Sequence, residues 1–484
     1  MTAFDLEAFA RLQARPSEIF RRPVRPLPPP PPIRYSAAPC VPLPIGRPRT
    51  LAAVRYPRAR PAAPTGLDGL ADLLTSALGF QRYEPANNYN AHRAYPSAQS
   101  LFPVEAFVVR GPRAWHYDAA RHALRPVGET ADGDPAGAGA MIAVLGRPGQ
   151  LPDYYRELRW ALTLCEAGHA VQATAAVAQA LGYAAGVHTD FDDAALLSAI
   201  GAGPADGWLP AALIGPLSTP PADSSTRIGS APSGGVPLPD DTVLAEDPVL
   251  HADRLAWPAS HSLGSDDPGS DPRPKAGSDA ASEMGDETGA SWDHVLFTRS
   301  AGHSRGGFTA SPATLPRQAL TSALAACRHA ARQDWSGLGV RLCLAVERVE
   351  ALADGLYAWS PEAGDLTLLA PGAHLGAVQS AYLYPSTVMR VDTCNVAIMF
   401  LADYPSLIGS HGARGLRLSQ LAVGALAQAA GLAMAAHGAF LRPARSFDPD
   451  RLGELADAKD GETVAYLALC GQARLDDLLL DLRV

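Results

Sequence analysis

Arg299, Ser300 and Arg305 fall close together in TRSAGHSRGGF (298 to 308), shortly before a helix start, and Arg474 follows the last strand as a further cation. Fixed donors beside positive charge are what a phosphate dianion requires. Pro96, Ser97, Ala98 and Gln99 make a tight small-residue turn whose amides can come close to a ligand. Tyr154 and Tyr155, in LPDYYRELR, are candidate acid/base groups, although an unperturbed phenol is a poor base at neutral pH. Cys165 and His169 share one alanine-rich helix, so they read as packing residues rather than a nucleophile and its base. Neither a phosphate-binding glycine loop, a zinc spacing nor a serine-hydrolase elbow is present.

The balance of charge narrows the partners. The chain has 484 residues, 47% hydrophobic and 18% charged, with a net charge of -9, which argues against a nucleic-acid partner. The most apolar stretch, LAVGALAQAAGLAMAAHGAF (421 to 440), is alanine-rich and cut by glycines, and the first residues lack the apolar core of a signal peptide, so neither a membrane span nor a leader is expected. Six dispersed cysteines without a CxxC pair fit small buried side chains in a reducing, cytoplasmic setting.

The elements that must position these residues form two similar series. Residues 1–65 are Pro/Arg-rich and read as an extended arm. From 66 to 217 the pattern runs helix, strand (VEAFVV), hairpin, strand (GAMIAVL) and a long helix from about Tyr154 to Gly182. Residues 218–290 are rich in Ser, Asp, Gly and Pro and read as a largely disordered linker. From 291 to 484 the series returns, its long helix opening at Arg414-Gly415-Leu416-Arg417 as the first opens at Arg156-Glu157-Leu158-Arg159. Glycines close the two helices at 182 and 438, and Phe191-Asp192 and Phe447-Asp448 follow. The expectation is an α+β protein made of two copies of one domain.

Three segments resemble the SagB/McbC-type azoline dehydrogenases, a branch of the nitroreductase-like flavoproteins. They are RAYPSAQSLFPVEAFVV (93 to 109) with its WHYD hairpin, EAGHAVQ (166 to 172), and TRSAGHSRGGF. The resemblance covers roughly 66–217 and 291–484. It implies an antiparallel-rich sheet flanked by helices in each half, with a long central helix, and a flavin mononucleotide (FMN) at the interface of two such domains. One domain supplies the PSx turn and the other the phosphate arm. Here the clear PSx turn lies in the first half and the clear phosphate segment in the second; their counterparts are only VRYPRARP (54 to 61) and DWSGLG (334 to 339). The chain is therefore expected to fold into an intramolecular pseudo-dimer with a single composite FMN site. The resemblance also implies that the backbones of Pro443, Ala444 and Arg445, in AFLRPARSFD, contact the flavin N5 edge.

The family carries a Lys-Tyr pair just before its central helix, and this sequence has Tyr154 and Tyr155 there without a lysine. The implied activity is oxidation of an azoline to an azole on a peptide, with dioxygen reoxidising the flavin. Two alternatives remain open. One is an FMN oxidoreductase of the same fold acting with NAD(P)H on a small molecule or an aminoacyl or peptide intermediate. The other is a flavin-free scaffold or peptide-binding subunit of a modifying complex, for which the Pro-rich arm offers a grip.

Overall fold

The computed structural model describes residues 6–24, 30–45, 49–128, 133–217, 288–302, 307–361, 364–474 and 478–483. The segment expected as a linker lies, over 218–287, outside the described residues, as does the candidate Arg305. Thr288 and Ala290 are already tied to the body, since the Thr288 amide donates to Tyr56 O and the Tyr56 amide to Ala290 O.

The first sheet contains β1 (Val41–Pro42), β2 (Val104–Arg110), β3 (Arg113–Asp118), β4 (Ala123–Val127), β5 (Met141–Gly146), β6 (Gly186–His188) and β7 (Leu209–Gly215). Its spatial order is β1-β4-β3-β2-β5-β7-β6, antiparallel throughout. The second contains β8 (Arg341–Val346), β9 (Gly355–Trp359), β10 (Thr367–Pro371), β11 (Val396–Asp403), β12 (Ala439–Ala444) and β13 (Glu462–Gln472), in the order β10-β9-β8-β11-β13-β12. Strand for strand this is the first sheet without β1, which the N-terminal arm adds. Even the irregularities correspond: the register slips between Val144 and Leu145 in β5 and between Phe400 and Leu401 in β11.

The helices named below are α1 (Leu6–Ala14), α2 (Gly66–Leu78), α3 (Leu158–Leu181), α4 (Asp193–Ala199), α5 (Trp292–Thr298), α6 (Arg317–Asp334), α7 (Ala413–Ala436) and α8 (Pro449–Leu455). Successive residues of a strand point to opposite faces, and here both faces are covered. In β11, Val396, Ile398 and Phe400 join a core shared by both halves, while Ala397, Met399 and Leu401 join a second cluster with Phe447 and Leu452. That is why these strands read as continuous apolar runs rather than alternating ones.

Helices α3 and α7 run through the shared core and are buried on nearly every side. Helix α7 is long and apolar enough to cross a membrane, and here it is buried entirely within protein. The two cross at glycines: a Cβ on Gly168 would overlap Leu421 O, and one on Gly424 would overlap Cys165 O. Absence of side chains at both points lets the backbones touch. The relation is reciprocal, and one constant interval along the chain separates Gly168 from Gly424, Gly182 from Gly438, and Asp192 from Asp448. Each of these aspartates caps a short helix, Asp192 accepting from the Ala194 and Ala195 amides and Asp448 from those of Asp450 and Arg451.

That interval corrects two sequence readings. The pairing of Arg156-Glu157-Leu158-Arg159 with Arg414-Gly415-Leu416-Arg417 is two residues out of register, because the structural counterpart of Arg156 (φ 50, ψ -137) is Gly412 (φ 59, ψ -146). The likeness of the two strings arises from separate needs for charge: Arg159 pairs with Asp153 at 2.7 Å, whereas Arg417 reaches Asp193 of the other half at 2.6 Å. Nor does the first long helix start at Tyr154. Asp153–Tyr155 forms a short 3-10 turn, and the unusual backbone at Arg156 separates it from α3.

The arm is not wholly extended either. Helix α1 lies against both halves, with Phe9 edge-on to Trp160 at 5.7 Å and Arg15 bidentate to Asp450 at 2.6 Å. A helix this short is not stable by itself, and packing supplies what propensity does not.

Candidate active site

The turn after Arg93 is built around Ser97. Its hydroxyl donates to Glu166 Oε2 at 2.7 Å and accepts from the Phe102 amide at 2.8 Å, so the side chain is committed to holding the turn. Gln99 (φ 53), Ser100 (φ 55) and Phe102 (φ 47) all lie in the left-handed region. These conformations cost energy for residues with a Cβ, and Glu166 and the packing of Phe102 hold them in place. Arg93 lies over Phe102 at 4.6 Å and Phe80 at 5.1 Å while donating to Tyr95 Oη at 2.9 Å. The Gln99 amide oxygen accepts from Tyr154 Oη at 2.5 Å, which brings the two candidate tyrosines to the turn.

Arg299 follows α5 and reaches the same segment from the second half. Its Nη2 donates to Arg93 O at 3.4 Å, while Nε and Nη1 are buried without a partner among the described residues. Burial lowers this guanidinium to about 9, helped by the neighbouring Arg82 and opposed by Glu84. It remains a cation at neutral pH. Arg82 is already neutralised, pairing with Glu84 at 2.7 Å, and Glu84 also meets His92 at 3.3 Å. Arg299 has no such carboxylate among the described residues.

Ser300 continues along the edge strand β12, its carbonyl accepting from the Leu441 amide at 3.2 Å and its Oγ from the Gly302 amide at 3.0 Å. Pro443 and Ala444 lie on β12 opposite Ala468 and Leu467. The Arg445 side chain turns inward to Gln420 Oε1 at 2.5 Å and to the carbonyl of Gln13 in α1 at 2.7 Å. Arg474 is exposed beyond β13, and no hydrogen bond or ion pair joins it to Arg299 among the described residues. Gln99 thus joins Tyr154 to the turn and Arg299 meets the same segment at Arg93, while Ser300 lies beside β12.

Two neighbours complete the walls. Glu166, buried on α3, is pushed up to about 8 by desolvation, against the pull of Ser97, Arg93 and the Ala98 amide. His169, one turn further on, is lowered to about 3 by burial and by Arg299, and its Nε2 lies 3.0 Å from Tyr466 Oη. Gln428 of α7 donates to Ala94 O at 2.9 Å. At the mouth, Tyr154 and Tyr155 stack at 4.6 Å, and burial with the nearby phenols of Tyr154, Tyr384 and Tyr89 raises Tyr155 above its ordinary value. Tyr155 therefore holds its proton at neutral pH and cannot serve as a base.

Sequence reasoning missed Arg93 and Tyr466 as members of this site. Arg93 opens the segment that drew attention to the turn, but Tyr466 is joined to His169 across most of the chain and leaves no local signal.

The mirror-related place is different. There the backbone of Arg60 to Ala63 lies directly on the C-terminus of α3, where a Cβ on Gly182 would collide with it. The Arg60 amide donates to Ala180 O, and Trp292 Nε1 donates to Arg58 O at 2.8 Å. The counterparts of His169 and Tyr466 are Ala425 and Ala212, both fully buried. The polar equipment exists on one side only.

No family model matches the sequence, and no curated protein does. Among solved structures, the chain is similar to a putative nitroreductase from Anabaena variabilis, with 17% identity, 96% of this chain and 99% of that chain covered, and a TM-score of 0.68. It also matches, over smaller parts, a putative nitroreductase from Ralstonia eutropha (17% identity, 38% of this chain and 83% of that one, TM-score 0.30). A third match is the E. coli microcin synthetase McbBCD complex with truncated pro-MccB17 bound (14% identity, 37% and 71%, TM-score 0.31). The whole-length likeness to the Anabaena protein establishes the fold: this chain has the nitroreductase fold, with its two sheets and two central helices in one polypeptide.

Proposed function

We propose that the chain is an FMN-dependent oxidoreductase with one composite site, acting in peptide modification by oxidising an azoline to an azole. The observation that carries the cofactor is the buried guanidinium of Arg299, whose Nε and Nη1 have no partner among the described residues. Leaving a buried charge unpaired is costly, and a phosphate dianion answers it with charge and two acceptors together. Pro96 to Gln99 approach from the other half, so the residues present fit the group.

Bound there, FMN would supply the two-electron redox chemistry that the oxidation needs, with dioxygen as the final oxidant. The protein's own residues do the rest. Arg299 and Ser300 would hold the phosphate end, the Glu166-anchored turn would fix the ring edge, and the backbones of Pro443, Ala444 and Arg445 would serve its N5 side. Tyr155, whose phenol burial raises, would keep its proton and with Tyr154 orient substrate at the mouth. The choice of peptide azoline rests on the PSAQS and EAGHAVQ segments, which meet at the Ser97–Glu166 hydrogen bond. Incubating the flavin-loaded protein with an azoline-bearing peptide in air should remove two hydrogens per ring, read by mass. A protein that instead oxidises NAD(P)H with no peptide present would support the reductase reading, which the missing lysine before α3 favours.

A further inference from the structure

Beside Arg299, two more buried polar atoms of the same site lack partners among the described residues: Oε1 of Glu166 and Nδ1 of His169. They sit one helical turn apart on α3, on the same face, and each residue's other polar atom is fixed, Glu166 Oε2 by Ser97 and His169 Nε2 by Tyr466. Helix packing does not call for them. At the equivalent positions α7 has Ala422 and Ala425, and the strand opposite has Ala212 in place of Tyr466; all three are fully buried. Ser97 accounts for one oxygen of Glu166 and Tyr466 for one nitrogen of His169, while the other two atoms face no partner among the described residues.

The chemistry of the two atoms narrows what could meet them. Burial keeps Glu166 protonated at neutral pH and His169 unprotonated, so the site offers two neutral groups, one able to donate and one able to accept or donate according to tautomer. Neither suits an anion. Hydroxyl groups, which donate and accept at once, suit both, and the charged Arg299 lies close enough to His169 to act on it. A neutral polyol ending in a phosphate matches that sequence of partners. Resting on the flavin reading above, we propose that Glu166 and His169 on α3 are the binding surface for the ribityl chain of FMN, with Arg299 taking its phosphate. The EAGH segment is then a ligand wall and not merely part of the core.

The full-length protein, stripped of flavin, can be titrated with three probes by fluorescence quenching: FMN, riboflavin, which lacks the phosphate, and lumiflavin, which lacks the polyol as well. His169→Phe keeps the ring and removes Nδ1. The double variant His169→Phe with Tyr466→Phe also avoids stranding the tyrosine hydroxyl. Both should weaken FMN and riboflavin about tenfold, the worth of a lost hydrogen bond or two, and leave lumiflavin unchanged. Arg299→Ala should weaken FMN alone. Equal loss of all three probes in both histidine variants, or no loss of any, would overturn the polyol assignment while leaving FMN binding intact. Failure of the wild-type protein to bind any of the three would remove the flavin reading itself.

Discussion

Ser97 donates its hydroxyl to Glu166 at 2.7 Å, joining the turn that precedes β2 to the middle of α3. The carboxyl that receives it is buried, and the turn it steadies holds three non-glycine residues at positive φ. Loop conformation and helix are thus one unit, and substitution at either end should be felt at the other.

The composite site predicts that two distant substitutions have one consequence. Arg299→Ala in the second half and Ser97→Trp in the first should each abolish bound flavin, measured by cofactor release from purified protein. If only one lowers flavin content, the two halves do not share a site.

Glu166 gives stability a pH dependence whose direction follows from its shift. Its folded value of about 8 lies above the ordinary 4.5 of a glutamate, so the folded state binds the extra proton, and the contribution is complete below 4.5 and lost as pH rises through 8. His169, lowered from 6.5 to about 3, acts oppositely, its contribution lost as pH falls below 6.5. Between pH 6.5 and 8 the Glu166 effect stands clear of the histidine. Urea midpoints of wild type should fall over that window by an amount equivalent to about 2 kcal/mol, and those of Glu166→Gln should fall less. Parallel curves for the two proteins would contradict the assignment.

Gly168→Ala and Gly424→Ala each force a methyl group into the backbone of the facing helix. Neither helix can move without separating the halves, so each should cost about 3 kcal/mol or more in thermal or urea unfolding. Because the two touch, their combined cost should differ from the sum.

Arg417 and Asp193 join the halves by a buried ion pair, 1% and 5% exposed, so that neither charge has water to fall back on. Removing one partner leaves the other stranded, and Arg417→Ala should cost about 3–5 kcal/mol. The double replacement Arg417→Met with Asp193→Leu should recover most of that loss in the same unfolding measurement. A double variant as unstable as the single one would mean that the pair is more than a matched set of charges.

Much of this was legible because it is local. Strand VEAFVV, helix LDGLADLLTSALGF and the Phe-Asp caps at 192 and 448 announce themselves in a few neighbouring residues. The repeat was visible too, but its register across the long helices was not: Arg156 and Arg414 look alike in sequence, and only the matching backbone at Arg156 and Gly412 shows which residues correspond. Helix α1 escaped notice because Trp160 and Asp450, which hold it, are far along the chain. At the site, Arg299 could be named from its charge and neighbours, but not its lack of an ion-pair partner among the described residues. That depends on Arg82 having taken Glu84, a fact of packing.

The central claim is a single composite flavin site, and the most direct measurement is flavin content per chain, by releasing the cofactor from purified protein after incubation with FMN. The account predicts about one FMN per chain. Two would mean that the side covered by Arg60 to Ala63 also binds, and none would contradict the assignment of Arg299 to a phosphate.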